Sequence, residues 1–279
     1  MPPTVLVLVA VSSVQVGAAL AKTLFDEIGV GGTVFLRMAA AALVLALVWR
    51  PRLRGHSSRE LRLVVVFALA LAGMNLAFYS SIDRIPLGIA VTFEFVGPLG
   101  VAVFGSRKPL DLLWVALAAA GILLLSDFGS GDLDRLGVGL ALLAGAFWAA
   151  YILLSVRVGQ AFPGGSGLAL AMVVATVPLA PVGIAEAGSE LLVPSILLAA
   201  AGVGILSSAF PYALELEALR RMPAGVFGVL MSLEPGVAAL AGYVLLGEAL
   251  VTREIAAIVL VVAASAGAAR RATVALRDA

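Results

Sequence analysis

The chain alternates between long apolar runs and short polar separators. Crossing about 30 Å of hydrocarbon takes roughly 20 helical residues. Runs near that length fall at Thr4–Leu24, Gly31–Trp49, Leu63–Ile82, Pro86–Phe104, Leu110–Ser126, Leu136–Val156, Gly165–Ala185, Leu192–Leu214, Pro223–Leu246 and Glu254–Ala269, the last of them short. The separators carry turn and charge signals: Arg50-Pro51-Arg52, Arg84-Ile85-Pro86, Lys108-Pro109, Gly129-Ser130-Gly131-Asp132, Pro163-Gly164-Gly165 and Arg221-Met222-Pro223. None is long enough to form a soluble domain. Met1 to Val14 lacks a basic leader, and its apolar run continues without a cleavage signal, so it is read as a retained first span. The pattern predicts an all-α membrane protein of ten transmembrane helices.

Charge orients these spans. With ten crossings, both termini share a side with the even-numbered loops. That side holds thirteen basic residues, among them Arg50, Arg52, Arg59, Arg62, Lys108, Arg157 and Arg270. The other side holds four: Lys22, Arg84, Arg135 and Arg253. Positive residues stay cytoplasmic, so both termini are expected there. An odd number of spans would mix the two groups.

The sequence also repeats itself. Pro86-Leu87-Gly88-Ile89 resembles Pro223-Ala224-Gly225-Val226, 137 positions later. Each stretch follows an arginine and an apolar residue, and each has a second proline twelve positions on, Pro98 and Pro235. One glutamate lies between each proline pair, Glu94 and Glu234. Proline and glycine are common in membrane helices, which is the alternative origin of the match. Taken as a repeat, it predicts two five-helix halves, residues 1–130 and 131–279. An odd number of spans per half makes them inverted, an arrangement that builds transporters with a mid-membrane site between the halves.

Composition narrows the chemistry. The 279 residues are 62% hydrophobic and 13% charged, against about 45–50% and about 25% in soluble domains. A net charge of +1, with no basic stripe, argues against a nucleic-acid partner. With no cysteine and a single histidine, His56, neither a thiolate nor a histidine cluster is available, and no metal or cofactor is expected. There is no G-x-S-x-G elbow and no H-E-x-x-H motif.

Glu94 is the sharpest signal. It lies eight residues into its span, about 12 Å deep at 1.5 Å per residue. An ionised carboxylate there costs several kcal/mol unless paired, hydrated or protonated. It marks a substrate or proton path, or else a structural pair with Arg37 at similar depth. Glu234 precedes Pro235, whose missing N–H frees a carbonyl. It either lines a polar cavity or bonds a neighbouring helix. Glu215 and Glu217 are expected to form interfacial ion pairs with Arg220 and Arg221. Gln15, Asn75, Tyr79, Tyr151 and Tyr212 can bond a substrate or tie helices together. Trp49, Trp114 and Trp148 suit anchoring or packing.

These stretches resemble the EamA branch of the drug/metabolite transporter superfamily, close to its inner-membrane exporters of threonine and homoserine. The likeness runs from about Leu36. It rests on Gly73-Met74-Asn75, Phe78-Tyr79, Ile85-Pro86-Leu87-Gly88, Glu94-Phe95, Gly97-Pro98, Pro211-Tyr212, Leu214-Glu215, Phe227-Gly228, Leu230-Met231-Ser232, Glu234-Pro235 and Leu246-Gly247-Glu248. The resemblance implies proton-driven export of small amino acids across the cytoplasmic membrane by a monomer or homodimer. It also implies a central cavity between spans one to four and six to nine. Carried over, Glu94 and Glu234 line that cavity near Arg37, Asn75 and Tyr212. A zwitterion needs an anion for its ammonium and a donor for its carboxylate, and those side chains supply both. The two glutamates are also the candidate proton carriers. The competing readings are efflux of another metabolite or cationic drug, a channel, and an intramembrane enzyme.

Overall fold

A computed structural model describes residues 1–52, 55–104, 111–125, 133–222 and 224–277. Among the described residues there are helices and no strands. The chain runs through α1 (Pro3–Lys22), α2 (Phe25–Trp49), α3 (Ser58–Ile82), α4 (Leu87–Glu94), α5 (Val96–Phe104), α6 (Asp111–Leu125) and α7 (Arg135–Ala161). It continues through α8 (Ser166–Ala187), α9 (Pro194–Gly204), α10 (Phe210–Leu219), α11 (Ala224–Met231), α12 (Glu234–Leu246) and α13 (Thr252–Arg277). A π-helical turn, Ile205–Ala209, joins α9 to α10. Only Phe95 separates α4 from α5, and Ser232 and Leu233 separate α11 from α12. The helices therefore form ten rods.

Among the described residues, seven helical stretches are long and apolar enough to cross a membrane, and the shorter Leu87–Val101 is apolar as well. Large apolar side chains point outward along the rods, including Leu47, Leu69, Leu153, Val177, Leu198 and Val244. A soluble surface would not sustain such a girdle, whereas hydrocarbon solvates it. The protein is a multi-pass membrane protein.

Four expected spans differ from the rods. The tenth is not short: α13 runs from Thr252 to Arg277, because its alanine- and arginine-rich tail favours helix beyond the apolar stretch. The eighth starts after a 3-10 turn, Gly188–Leu192, and extends to Leu219. The fourth and ninth are each broken, and proline explains where. A proline lacks the N–H that would bond the carbonyl four residues earlier, and its ring crowds that carbonyl. For Pro98 that residue is Glu94, where α4 ends; for Pro235 it is Met231, where α11 ends. The expected turns at Lys108-Pro109 and Gly129–Asp132, the span ends Leu110, Ser126 and Pro223, and the boundary between residues 130 and 131 lie outside the described residues.

The rods pack in pairs: α2 on α8, α3 on α7, α4 on α12, α6 on α13, and α1 on α10. Glycines permit the closest crossings. A Cβ at Gly88 would meet the backbone of Ala239 at 2.6 Å, and one at Gly97 would collide with the carbonyl of Gly145. The latter crossing sets α5 against α7 beside the break at Glu94. At one end of the bundle, Arg84 Nη1 pairs with Asp134 Oδ2 at 2.9 Å, while Asp134 caps α7 through Leu136 N at 2.8 Å. The guanidinium and this cap hold the Asp134 carboxyl below the usual carboxylate range.

Candidate functional site

A cavity of about 630 Å³ opens among α1, α2, α3, the two broken rods, α7 and α10. All five residues expected at a site line it: Arg37, Asn75, Glu94, Tyr212 and Glu234.

Arg37 is built in from several sides. It is 2% exposed, and its Nη1 donates to Ser207 Oγ at 2.6 Å and to Ser208 Oγ at 3.2 Å. Its Nη2 donates to Asn75 Oδ1, and its Cζ lies 4.3 Å from the ring centroid of Tyr79. Each acceptor is itself fixed. Asn75 Nδ2 donates to Leu71 O at 2.8 Å, which turns the amide oxygen toward the guanidinium. Ser207 Oγ donates its proton to Val203 O at 2.7 Å, leaving lone pairs for Arg37. In a regular helix, adjacent serines diverge by about 100°. The π turn at Ile205–Ala209 brings both hydroxyls to one guanidinium, and Ser13 Oγ holds the turn by donating to Leu206 O at 2.6 Å. The Nε of Arg37 is buried without a partner. Among the described residues, every hydrogen-bond partner of this buried charge is neutral.

The carboxylates are also unsatisfied. Glu94 and Glu234 are 8% and 5% exposed, and neither has a hydrogen bond or ion pair among the described residues. Both line the same cavity. Their backbone settings differ. Glu234 lies in the first turn of α12, where free N–H groups favour negative charge. Glu94 ends α4, where free carbonyls oppose it.

One sequence expectation requires correction, and one alternative falls away. The alternative is the Arg37–Glu94 pair: neutral oxygens from α3 and the π turn hold both terminal nitrogens of Arg37. Glu215 does not join Arg220 and Arg221; Glu217 takes both, Arg220 at 3.7 Å. Glu215 instead lines the cavity. The sequence reading missed Ser207 and Ser208, whose signal was two consecutive serines inside an apolar run. It also missed Ser265 on α13, a buried hydroxyl in the cavity wall without a partner. Gln15 lines the cavity too, with its Oε1 buried and unpartnered. Trp148 is another lining residue and meets Phe95 edge-on at 5.2 Å. Among the described residues no cluster of His, Cys, Asp or Glu could hold a metal ion.

The two ends of the bundle are unequal. The cavity shares Tyr151, Ser155, Tyr212, Glu215 and Leu219 with a second space of about 290 Å³, which reaches Gly164, Gly165 and Trp49. At the opposite end, Lys22 Nζ bonds Glu248 Oε1 at 2.7 Å, and Glu248 Oε2 accepts from Leu87 N at 2.7 Å. Beside it, Glu186 Oε2 accepts from Gly31 N at 2.6 Å, just past the kink at Gly29, whose φ is 67°.

Residues 135–270 match the EamA-like transporter family. The threonine/homoserine exporter RhtA of Salmonella typhimurium (strain SL1344) is 45% identical over 269 residues, covering 95% of this chain and 90% of its own length. Its counterpart in Escherichia coli (strain K12) is 44% identical with the same coverage. The uncharacterized transporter YwfM of Bacillus subtilis (strain 168) is 28% identical over 78% of this chain and 76% of its own. A solved crystal structure at 20% identity superposes with a TM-score of 0.65 over 97% of this chain and 98% of that one, and so shares the fold.

Proposed function

The chain belongs to the EamA-like transporter family, and from that premise we propose that it exports small amino acids of the threonine and homoserine kind across the cytoplasmic membrane by exchange for protons. One observation carries this reading. A buried guanidinium held only by neutral groups shares a cavity with unpartnered glutamates, Glu94 and Glu234 among them. A zwitterion supplies the two charges this site lacks. Its carboxylate goes to the Arg37 guanidinium, and its ammonium goes to Glu234, whose negative charge the start of α12 favours. Glu94, at the less favourable end of α4, carries the proton. Threonine/homoserine export is what the names of the 45% and 44% identical relatives state of those proteins.

Ten spans in two inverted halves, residues 1–130 and 131–279, are part of the proposal. The packing supports it. Advancing every rod by five turns the pairing of rods three and six into that of eight and one, and both contacts occur, as α3 on α7 and α10 on α1. Rods two and seven, four and nine, and five and ten pair with their own counterparts, as α2 on α8, α4 on α12 and α6 on α13. Breaks four residues before Pro98 and Pro235 fall in counterpart rods. We place both termini in the cytoplasm on the thirteen-to-four distribution of basic residues. The cavity then opens inward through Gly164 and Gly165, and Lys22, Glu248 and Leu87 close its outer end.

The test is transport in sealed proteoliposomes. An imposed pH gradient should drive threonine and homoserine against their concentration gradients, and dissipating it should stop accumulation. Threonine movement that ignores the gradient would remove proton exchange while keeping amino-acid transport. A second reading, efflux of a bulkier or cationic solute, is favoured by the cavity's aromatic walls, including Phe78, Phe95, Trp148 and Phe227. The same vesicles loaded with such solutes decide between the two.

A further inference from the structure

Glu215 on α10 is the one charged group of the cavity with no part in the site above. It lines both the main cavity and the smaller space, and among the described residues it is the only carboxylate common to the two linings. Neither nearby arginine neutralises it, since Glu217 engages Arg220 and Arg221. Among the described residues it has no hydrogen bond or ion pair. The rings of Trp49, Phe67, Tyr151 and Tyr212 line the same recess. Phe67 and Tyr151 are stacked at 5.1 Å, which fixes one aromatic wall. A carboxylate within aromatic faces suits an ammonium group: the anion supplies charge, and the ring faces add cation–π attraction.

We propose that Glu215 and these rings form a vestibular subsite for a primary ammonium group, where an amino acid is held between the Gly164–Gly165 mouth and the Arg37 site. This inference rests on the export reading and extends it from one binding site to two in series. An amino acid entering from the mouth meets Glu215 first. It then passes Tyr212, which lines both spaces, to reach Glu234 and Arg37 in the main cavity. The titratable groups around the passage are Tyr79 from α3, Tyr151 from α7, Tyr212 from α10, Glu234 from α12, Glu94 from α4 and Arg37 from α2.

Threonine methyl ester keeps the ammonium and has no carboxylate, so it probes the ammonium subsite without needing Arg37. N-acetylthreonine keeps the carboxylate and has no ammonium. Binding of each to purified protein is followed by tryptophan fluorescence, for wild type, Glu215→Gln and Glu215→Asp. The expected result is about tenfold weaker binding of the ester to Glu215→Gln, with most of the loss restored in Glu215→Asp and no change for N-acetylthreonine. In transport, Glu215→Gln should raise KM from the mouth side about tenfold, leave kcat within about twofold, and keep the wild-type pH profile. Equal ester binding by all three proteins would overturn the subsite. So would a loss of kcat with a shifted pH profile and an unchanged KM, which makes Glu215 a proton carrier instead. If wild type moves no threonine while ester binding depends on Glu215, the subsite stands and the amino-acid export reading falls.

Discussion

Arg37 presents a full charge to the cavity with hydroxyls, an amide and a ring face around it. That geometry uses the planar fork of a guanidinium, which a lysine cannot reproduce. Arg37→Lys should insert normally and reduce threonine transport by at least about tenfold, measured as initial rates at matched protein levels. Each lost hydrogen bond to a charged group is worth about 1.5–3 kcal/mol, so one lost contact accounts for that factor. For Glu94, the structure separates the two sequence readings. Were Glu94 the partner of Arg37, Glu94→Gln would leave a buried cation unpaired, and Arg37→Met would rescue expression. Because Ser207, Ser208 and Asn75 hold Arg37, Glu94→Gln should express at wild-type levels and lose proton-driven transport, with no rescue by Arg37→Met. That the five expected residues would line a cavity was legible because ionised and polar groups deep in apolar runs are costly and therefore conspicuous. Glu215 was misread because its neighbours along the chain are arginines. Helical spacing held the better signal: Glu217 lies three and four positions before Arg220 and Arg221, on their face, and Glu215 lies five and six before them.

Helices bring polar groups to the cavity here where they depart from regularity. The breaks at Glu94 and at Ser232–Leu233 follow from Pro98 and Pro235, and both prolines were legible as a repeated pair. The π turn was not, because nothing in Gly204–Phe210 distinguishes an extra residue per turn from an ordinary apolar helix. Tertiary contact accounts for it: Ser13 satisfies Leu206 O, and α1 approaches the bulge closely at Gly17. A Cβ there would meet Ser207 Cβ, N and Cα at 2.8, 2.9 and 3.0 Å, so backbone as well as side chain blocks it. Gly17→Ala must push α1 off the turn and disturb the serine that orients Arg37. Overpacking of this kind costs about 1–3 kcal/mol. The expected outcome is a melting temperature several degrees lower in detergent together with a raised KM for threonine. Ser13→Ala removes the hydrogen bond without adding bulk and should show a smaller change in the same direction. A Gly17→Ala protein with wild-type melting and KM would mean that the π turn holds Arg37 without help from α1.

At the scale of the whole molecule, the difference between the two ends makes the conformational equilibrium testable. The closed end depends on two carboxylates from the second half that engage the first: Glu248, which binds Lys22 and Leu87 N, and Glu186, which binds Gly31 N. The Glu248–Lys22 pair is partly shielded, at 13% and 25% side-chain exposure, so solvent weakens it without abolishing it. In Glu248→Gln the amide oxygen can still accept from Leu87 N, but the charge that holds Lys22 is gone. A change of about 1.4 kcal/mol moves a two-state equilibrium tenfold, and charged contacts of this kind fall in that range. The chain contains no cysteine, so single reporters can be introduced without background. Ala18 lines the cavity on α1, one turn before Lys22, and is 1% exposed. An Ala18→Cys reporter should react slowly with an impermeant maleimide applied from the side of Lys22 and Glu248, and adding Glu248→Gln should speed that reaction several-fold. A reporter at Ser155, which lines the passage to the Gly164–Gly165 mouth, should slow from the side of that mouth in the same background, because one population is lost as the other grows. Acceleration at Ala18 with no slowing at Ser155 would describe a locally frayed end instead of alternating access. Unchanged rates at both positions would show that Glu248 does not lock the closed end, leaving Glu186 and the kink at Gly29 to hold it.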